Sequence, residues 1–218
     1  MLRVRDFMTR DVITLGPESS AAEAWGLCRE YKIRHLPVIE GGRLVGLVSD
    51  RDLRDVSPPR GDREADTLRW VRLGDMMTRR PVTIHPLATI EQAAREIYER
   101  RIGCLPVVAE GELVGIITSS DMMQTLIELV GAHERGVWVE VEVPNQPGQL
   151  ANVTDVIRER QVNIAGVFLA PAERASNRLI VLRLETMNPT GIVRSLEEAG
   201  YRVTTVESSD PGESPVEE

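Results

Sequence analysis

The residues from Asp6 to Asp52 recur, at a constant offset of 69 and without a gap, from Asp75 to Asp121. Asp6-Phe7-Met8-Thr9-Arg10 aligns with Asp75-Met76-Met77-Thr78-Arg79, and Leu36-Pro37-Val38 aligns with Leu105-Pro106-Val107. Leu44-Val45-Gly46 aligns with Leu113-Val114-Gly115, and each copy closes on Gly-apolar-apolar-Ser/Thr-x-x-Asp. Shared spacings over so long a period imply two copies of one supersecondary unit rather than a solenoid. A chain of 218 residues is long enough for one large domain or two modest ones, each able to bury a core. The repeat favours two.

Composition removes several function classes. A net charge of -8 and a pI near 5.1 argue against nucleic-acid binding through a basic face, because phosphate neutralisation needs clustered Lys and Arg. Only the lining of a local pocket could be basic. Cys28 and Cys104 occupy non-equivalent places in the repeat and lack metal-ligand spacing, so neither a disulfide framework nor a metal site is expected. The N-terminus has no apolar signal core, and no run of about 18 apolar residues offers a membrane span. A soluble protein of the reducing cytoplasm is expected.

Within each copy the pattern predicts strand, helix, strand, strand, helix. The first strands are expected at Val12 to Leu15 and Val82 to Ile84. Ser20-Ala21-Ala22-Glu23 and Thr89-Ile90-Glu91-Gln92 have capping-box form and open helices that run to about Tyr31 and Arg100. Apolar runs across Glu40-Gly41-Gly42 and across Glu110-Gly111 predict hairpins. The units are therefore bounded as 1–56 and 74–130, with residues 57–73 as a linker marked by Ser57-Pro58-Pro59 and Gly61. From Val137 the chain alternates as a half-buried strand, turns at Asn145-Gln146-Pro147-Gly148, and continues through a helix with Leu150, Val153 and Ile157 on its apolar face. Strands at 163–170 and 178–185, a helix at 190–199 and a strand at 201–206 complete a βαββαβ order, the ferredoxin-like arrangement, over 136–206. Residues 207–218 have the composition of a disordered acidic tail.

The repeated Gly-x-x-Ser/Thr-x-x-Asp ends are the sharpest chemical signal. They suit a helix start, where the hydroxyl caps a free amide and the carboxylate complements the dipole. They also suit a ligand: helix amides and a hydroxyl facing a phosphate, and an Asp accepting from the hydroxyls of a ribose. Both readings stand at this point.

The doubled Met-Thr, Leu-Pro-Val and Leu-Val-Gly-x-x-Ser/Thr-x-x-Asp pattern resembles a pair of CBS domains over roughly Arg5 to Leu126. That resemblance implies a tandem βαββα module, the Bateman module, with two clefts for adenosine-containing ligands such as AMP, ADP, ATP or S-adenosylmethionine. It implies that one cleft joins Thr9, Ile13, Ile33, Arg34 and His35 to Thr118, Ser120 and Asp121. The other joins Thr78, Val82, Ile102, Gly103 and Cys104 to Ser49, Arg51 and Asp52. The clefts differ, because Arg51 stands where the first has Ser120, and a guanidinium suits phosphate oxygens. His35 is open between facing a ligand and a plain strand position. Cys104 reads as a small packing residue.

Residues 136–206 resemble an ACT domain through Asn145-Gln146-Pro147-Gly148-Gln149-Leu150 and Val162-Asn163-Ile164. The resemblance implies a small amino acid held at Asn145, Gly148 and Asn163, against the simpler reading of a strand-to-helix turn. Val143 stands where serine-sensing members carry histidine, so serine is not favoured. Two CBS copies followed by an ACT unit resemble the AcuB-type regulatory proteins named for acetoin utilisation. The fold expected is thus mixed α+β and α/β. The function expected is a non-enzymatic sensor with no obligatory cofactor, an adenine nucleotide as regulatory ligand, an unknown regulated protein as partner, and a homodimeric state. Two alternatives remain: an enzyme or accessory subunit of acetoin or acyl metabolism, and an assembly scaffold with degenerate pockets. No Ser/His/Asp grouping or Gly-rich phosphate loop favours the enzyme.

Overall fold

The computed structural model describes residues 2–56, 68–131 and 135–209. The chain divides into two compact units, Met1–Met123 and Gln124–Glu218.

In the first unit each copy is a helix against a hairpin. The first carries α1 (Val4–Phe7), α2 (Ala21–Glu30), β1 (His35–Glu40), β2 (Arg43–Ser49) and α3 (Asp50–Asp55). The second carries α4 (Leu73–Met76), β3 (Thr78–Arg79), α5 (Ile90–Arg100), β4 (Cys104–Ala109), β5 (Glu112–Thr118) and α6 (Ser119–Leu129), the last of which ends beyond the unit boundary. Helix starts follow local chemistry. Thr89 and Gln92 cap α5 reciprocally, whereas Ser20 accepts from the Glu23 amide without the return bond. The hairpins pair in the same register, His35 with Ser49 and Cys104 with Thr118, and shift at Val38/Ile39 and Val107/Val108. In the sheet order β1-β2-β5-β4 the outer positions belong to β1 and β4, so Pro37 and Pro106 stand where a missing N–H is tolerated.

The first strands are shorter than expected. Val12 to Leu15 and Val82 to Ile84 reduce to single parallel bridges, Leu15 to Val38 and Ile84 to Val107. The segments ahead of them are exchanged between the copies. Val4, Phe7 and Met8 pack into the second copy's core with Leu105, Val107 and Ile117, while Leu68, Leu73, Met76 and Met77 pack into the first copy's core with Leu36, Val38 and Val48. Backbone bonds fix the exchange: Thr9 and Ile116 donate to each other's carbonyls at 2.9 Å, and β3 pairs with β2. The linker expected at 57–73 is corrected accordingly. Residues 57–67 lie outside the described residues, but Leu68 and Leu73 are core residues because the exchange needs an apolar anchor. Leu36 and Leu105, equivalent and fully buried, would each cost about 2–5 kcal/mol on truncation to Ala.

The second unit contains β6 (Gly136–Pro144), α7 (Gln149–Glu159), β7 (Ile164–Pro171), β8 (Asn177–Leu184), α8 (Thr190–Glu198) and β9 (Arg202–Ser209). The sheet runs β7-β8-β6-β9, all antiparallel, as a βαββαβ order requires. Val137, Val139, Val141 and Val143 alternate into a core closed by Val153, Ile157, Ile192 and Leu196. Leu150 falls off that face and is 40% exposed. The guanidinium of buried Arg183 lies 5.1 Å from the Trp138 ring centre, and Trp138 meets Phe168 edge-on. The expected tail also begins later than Glu207. Glu207, Ser208 and Ser209 continue β9 against Trp138, Val137 and Gly136, since strand pairing uses backbone groups and needs no apolar side chain; 210–218 lie outside the described residues. Gly131, at φ +68, accepts no Cβ without meeting the Ala165 carbonyl at 3.0 Å, so it is a packed left-handed helix stop.

Candidate functional site

The repeated Ser/Thr-x-x-Asp ends form the same device twice. Asp52 Oδ2 accepts from the Ser49 amide at 2.8 Å and the Ser49 hydroxyl at 2.7 Å, and the Asp52 amide donates back to Ser49 Oγ at 3.3 Å. Asp121 Oδ2 accepts from the Thr118 amide at 2.7 Å and its hydroxyl at 2.9 Å. The capping reading is therefore correct as far as it goes. A carboxylate has about four acceptor positions, and at Asp52 the cap consumes those of one oxygen while locking the rotamer. Asp50 N donates to the Arg34 carbonyl at 2.9 Å and Ser119 N to the Gly103 carbonyl at 3.0 Å, which ties each helix start to the start of β1 or β4.

Two cavities flank this arrangement. The smaller, about 270 Å³, is bordered by Thr9, Ile13, Ile33, Arg34, His35, Thr118, Ser120 and Asp121. The larger, about 610 Å³, is bordered by Thr78, Val82, Ile102, Gly103, Cys104, Ser49, Arg51 and Asp52. The smaller takes Thr9, Ile13 and Ile33 from the first copy and Asp121 from the second, the larger takes Thr78, Val82 and Ile102 from the second copy and Asp52 from the first, and Arg34 and His35 border both. Sequence reasoning missed Asp11, Val12, Lys32 and Ile116 in the smaller cavity, and Leu47, Asp50, Arg54, Arg80, Pro81, Arg101 and Ser119 in the larger. The offset of 69 could have exposed the contrast: Asp11 and Lys32 correspond to Arg80 and Arg101.

That contrast makes the cavities electrically unlike. Arg34, Arg51, Arg54, Arg80 and Arg101 face Asp50 and Asp52 in the larger cavity, whereas Lys32 and Arg34 balance Asp11 and Asp121 in the smaller. A positive hollow in a chain of net charge -8 concentrates anions locally. Lys32, Arg80 and Arg101 all adopt positive φ, near 50–55°, a conformation costly for residues with a side chain and frequent where function holds the backbone.

The remaining groups are tuned by burial. The His35 pKa lies below 6.5, lowered first by burial and then by Arg34, against opposing Asp50 and Asp52; the ring is neutral at pH 7. Burial pushes the Cys104 thiol up to about 12, and burial with Asp50 pushes Cys28 up to about 11, so neither is a ready nucleophile. Among the described residues no group of three or more His, Cys, Asp or Glu is arranged to hold a metal ion, and no helix is long and apolar enough to cross a membrane.

Asn163 borders an open depression of about 390 Å³ with Thr154, Arg158 and Gln161, which Asn145 and Gly148 do not reach. Gly148, at φ 90°, is the N-cap of α7, the turn role that residue alone fills cheaply.

The CBS domain family matches residues 4–58 and 73–128, more than half of the chain, and the ACT domain family matches 137–201. The chain belongs to the CBS-domain family and carries an ACT domain. AcuB from Vibrio cholerae, named for acetoin utilization, superposes with a TM-score of 0.52 at 34% identity, over 59% of this chain and 93% of that one. CBSX2 of Arabidopsis thaliana, solved in complex with AMP, superposes with a TM-score of 0.52 at 30% identity, over 59% of this chain and 99% of that one. Inosine-5'-monophosphate dehydrogenase of Korarchaeum cryptofilum is 40% identical over 121 residues, 55% of this chain. The chain spans only 23% of that enzyme's length.

Proposed function

We propose that this CBS–ACT chain is a non-enzymatic sensor that binds adenine nucleotides in its two CBS cavities and transmits the bound state to a partner protein. The observation that carries the reading is the pair of cavities, each offering an apolar wall from one copy and a hydroxyl-locked aspartate from the other. Ile13 and Ile33, or Val82 and Ile102, suit the faces of adenine; the aspartate suits ribose; the arginines of the larger cavity suit phosphates. AMP bound to CBSX2 supports the ligand class. The five-arginine lining favours ADP or ATP in the larger cavity, and the balanced lining favours AMP, adenosine or S-adenosylmethionine in the smaller.

The ACT domain enters as a second input, for a small amino acid near Asn145, Gly148 and Asn163, and a second copy of the chain as the first partner. The depression at Asn163 does not include Asn145 or Gly148, so the proposed amino-acid site draws on a second copy of the chain to complete it. Calorimetry of the full chain with AMP, ADP, ATP, adenosine and S-adenosylmethionine tests the sensor reading, with a rise in melting temperature through mass action as the accompanying signal. An assembly scaffold gives no saturable binding with any of them. An enzyme of acyl metabolism turns a nucleotide or acyl substrate over, which chromatography of the incubated ligand detects.

A further inference from the structure

The two copies differ at the start of their hairpins. Arg34 and His35 in the first correspond to Gly103 and Cys104 in the second. His35 occupies the space that a side chain at Gly103 would need: a Cβ there would lie 2.6 Å from His35 Nε2 and 2.8 Å from Cε1. Arg34 crosses to the opposite copy and donates to Ser120 Oγ at 3.1 Å. Both residues border both cavities. Arg34 is thus the arginine that the two duplicated cavities have in common.

We propose that Arg34 is a shared phosphate-binding residue, so that phosphorylated ligands in the two cavities compete for it and weaken each other. This rests on the sensor reading above. The planar fork of an arginine forms its strongest contact with one phosphate at a time, through two parallel bonds. A second phosphate reaching the same group gains fewer bonds and faces the first as a like charge. His35 offers no substitute, since burial and Arg34 hold it neutral. The dependence is unequal. The larger cavity keeps Arg51, Arg54, Arg80 and Arg101 when Arg34 turns away, whereas the smaller keeps only Lys32. Filling the larger cavity therefore suppresses phosphorylated ligands in the smaller, and a ligand without phosphate escapes the effect.

The test is a set of calorimetric titrations of the full chain. Asp52→Asn weakens the larger cavity and Asp121→Asn the smaller, so the step that each variant retains at undiminished affinity reports the AMP affinity of the other cavity. The product of the stepwise AMP affinities of the wild type is then compared with the product of those two. The wild-type product should be lower by about 5- to 150-fold, the usual span of coupled sites. Adenosine should give equal products, and so should AMP in an Arg34→Ala background, with Arg34→Gln as a second variant that keeps the side chain's bulk. Equal products for AMP in the wild type, or a deficit that survives in either Arg34 variant or with adenosine, overturn the proposal while leaving the sensor reading intact. Absence of binding by any nucleotide overturns both.

Discussion

Replacing the two locked aspartates by asparagine separates ligand binding from helix capping. Asp52 Oδ2 takes two bonds from Ser49, at 2.8 and 2.7 Å, and an asparagine carbonyl can take the same place. The amide NH2 then stands where Oδ1 stood, a donor facing the cavity in place of a charged acceptor. For stability the change removes one negative charge from the first turn of α3 and keeps the cap, so it should cost about 0.3–1 kcal/mol. For binding it removes a charge-assisted ribose bond, about 1.5–3 kcal/mol, or roughly 10- to 150-fold in affinity. The same comparison applies to Asp121, whose Oδ2 is held by Thr118. Calorimetry with AMP gives the affinity and thermal melting gives the stability of each variant. If the double variant melts slightly lower and still binds AMP within twofold of the wild type, the carboxylates are caps only and the ribose assignment is wrong.

Three further outcomes follow from named contacts. Arg101 caps α5 at φ 55°, so Arg101→Gly should stabilise the ligand-free protein by up to about 1 kcal/mol and yet weaken ATP more than adenosine; equal weakening of both ligands would remove Arg101 from the phosphate site. Because the His35 pKa is lowered from 6.5 on folding, the unfolded chain binds more protons as pH falls: its contribution is complete above about pH 6.5 and lost as pH falls through the folded value. Melting curves from about pH 7 to 5.5 should therefore slope less in His35→Gln, and identical slopes would contradict the assignment. Gly115→Ala would set a Cβ 2.9 Å from the Thr9 carbonyl, whereas Gly46→Ala meets only the flexible Met77 side chain; overpacking of about 1–3 kcal/mol is expected for Gly115→Ala and less for Gly46→Ala by denaturant unfolding.

Much of the fold was legible because its signals are local. Apolar runs across a Gly turn specify the two hairpins of the repeat, a hydroxyl with a partner three residues on opens α2, α3 and α5, and duplication supplies the signals of the first unit twice. What was not legible depends on distant partners. The first strands became single bridges at Leu15 and Ile84, because the segments before them pair with the opposite copy, which no window of sequence contains. Leu68 and Leu73 looked like linker for the same reason. Glu207 to Ser209 looked like tail because strand addition at β6 uses backbone groups, which polar composition does not reveal. Arg183 is fully buried on β8 with its guanidinium over Trp138, a contact made across strands that no local pattern reveals.

The site shows what duplication does and does not preserve. Residues that both copies retain, Thr9 with Thr78, Ile33 with Ile102 and Asp52 with Asp121, border the two cavities alike and were found by the pattern itself. Residues that differ, Asp11 against Arg80, Lys32 against Arg101 and Arg34 against Gly103, determine how the cavities differ, and pattern matching passes over them because they match nothing. A repeat search finds the lining residues that the two copies share; subtraction of one copy from the other finds the charge. Five arginines thus collect in one cavity of an acidic chain, and a single one of them reaches both. If the two cavities had kept identical linings, each would report the same ligand. Under the proposed sensor function, their divergence gives one module two unlike ligand preferences.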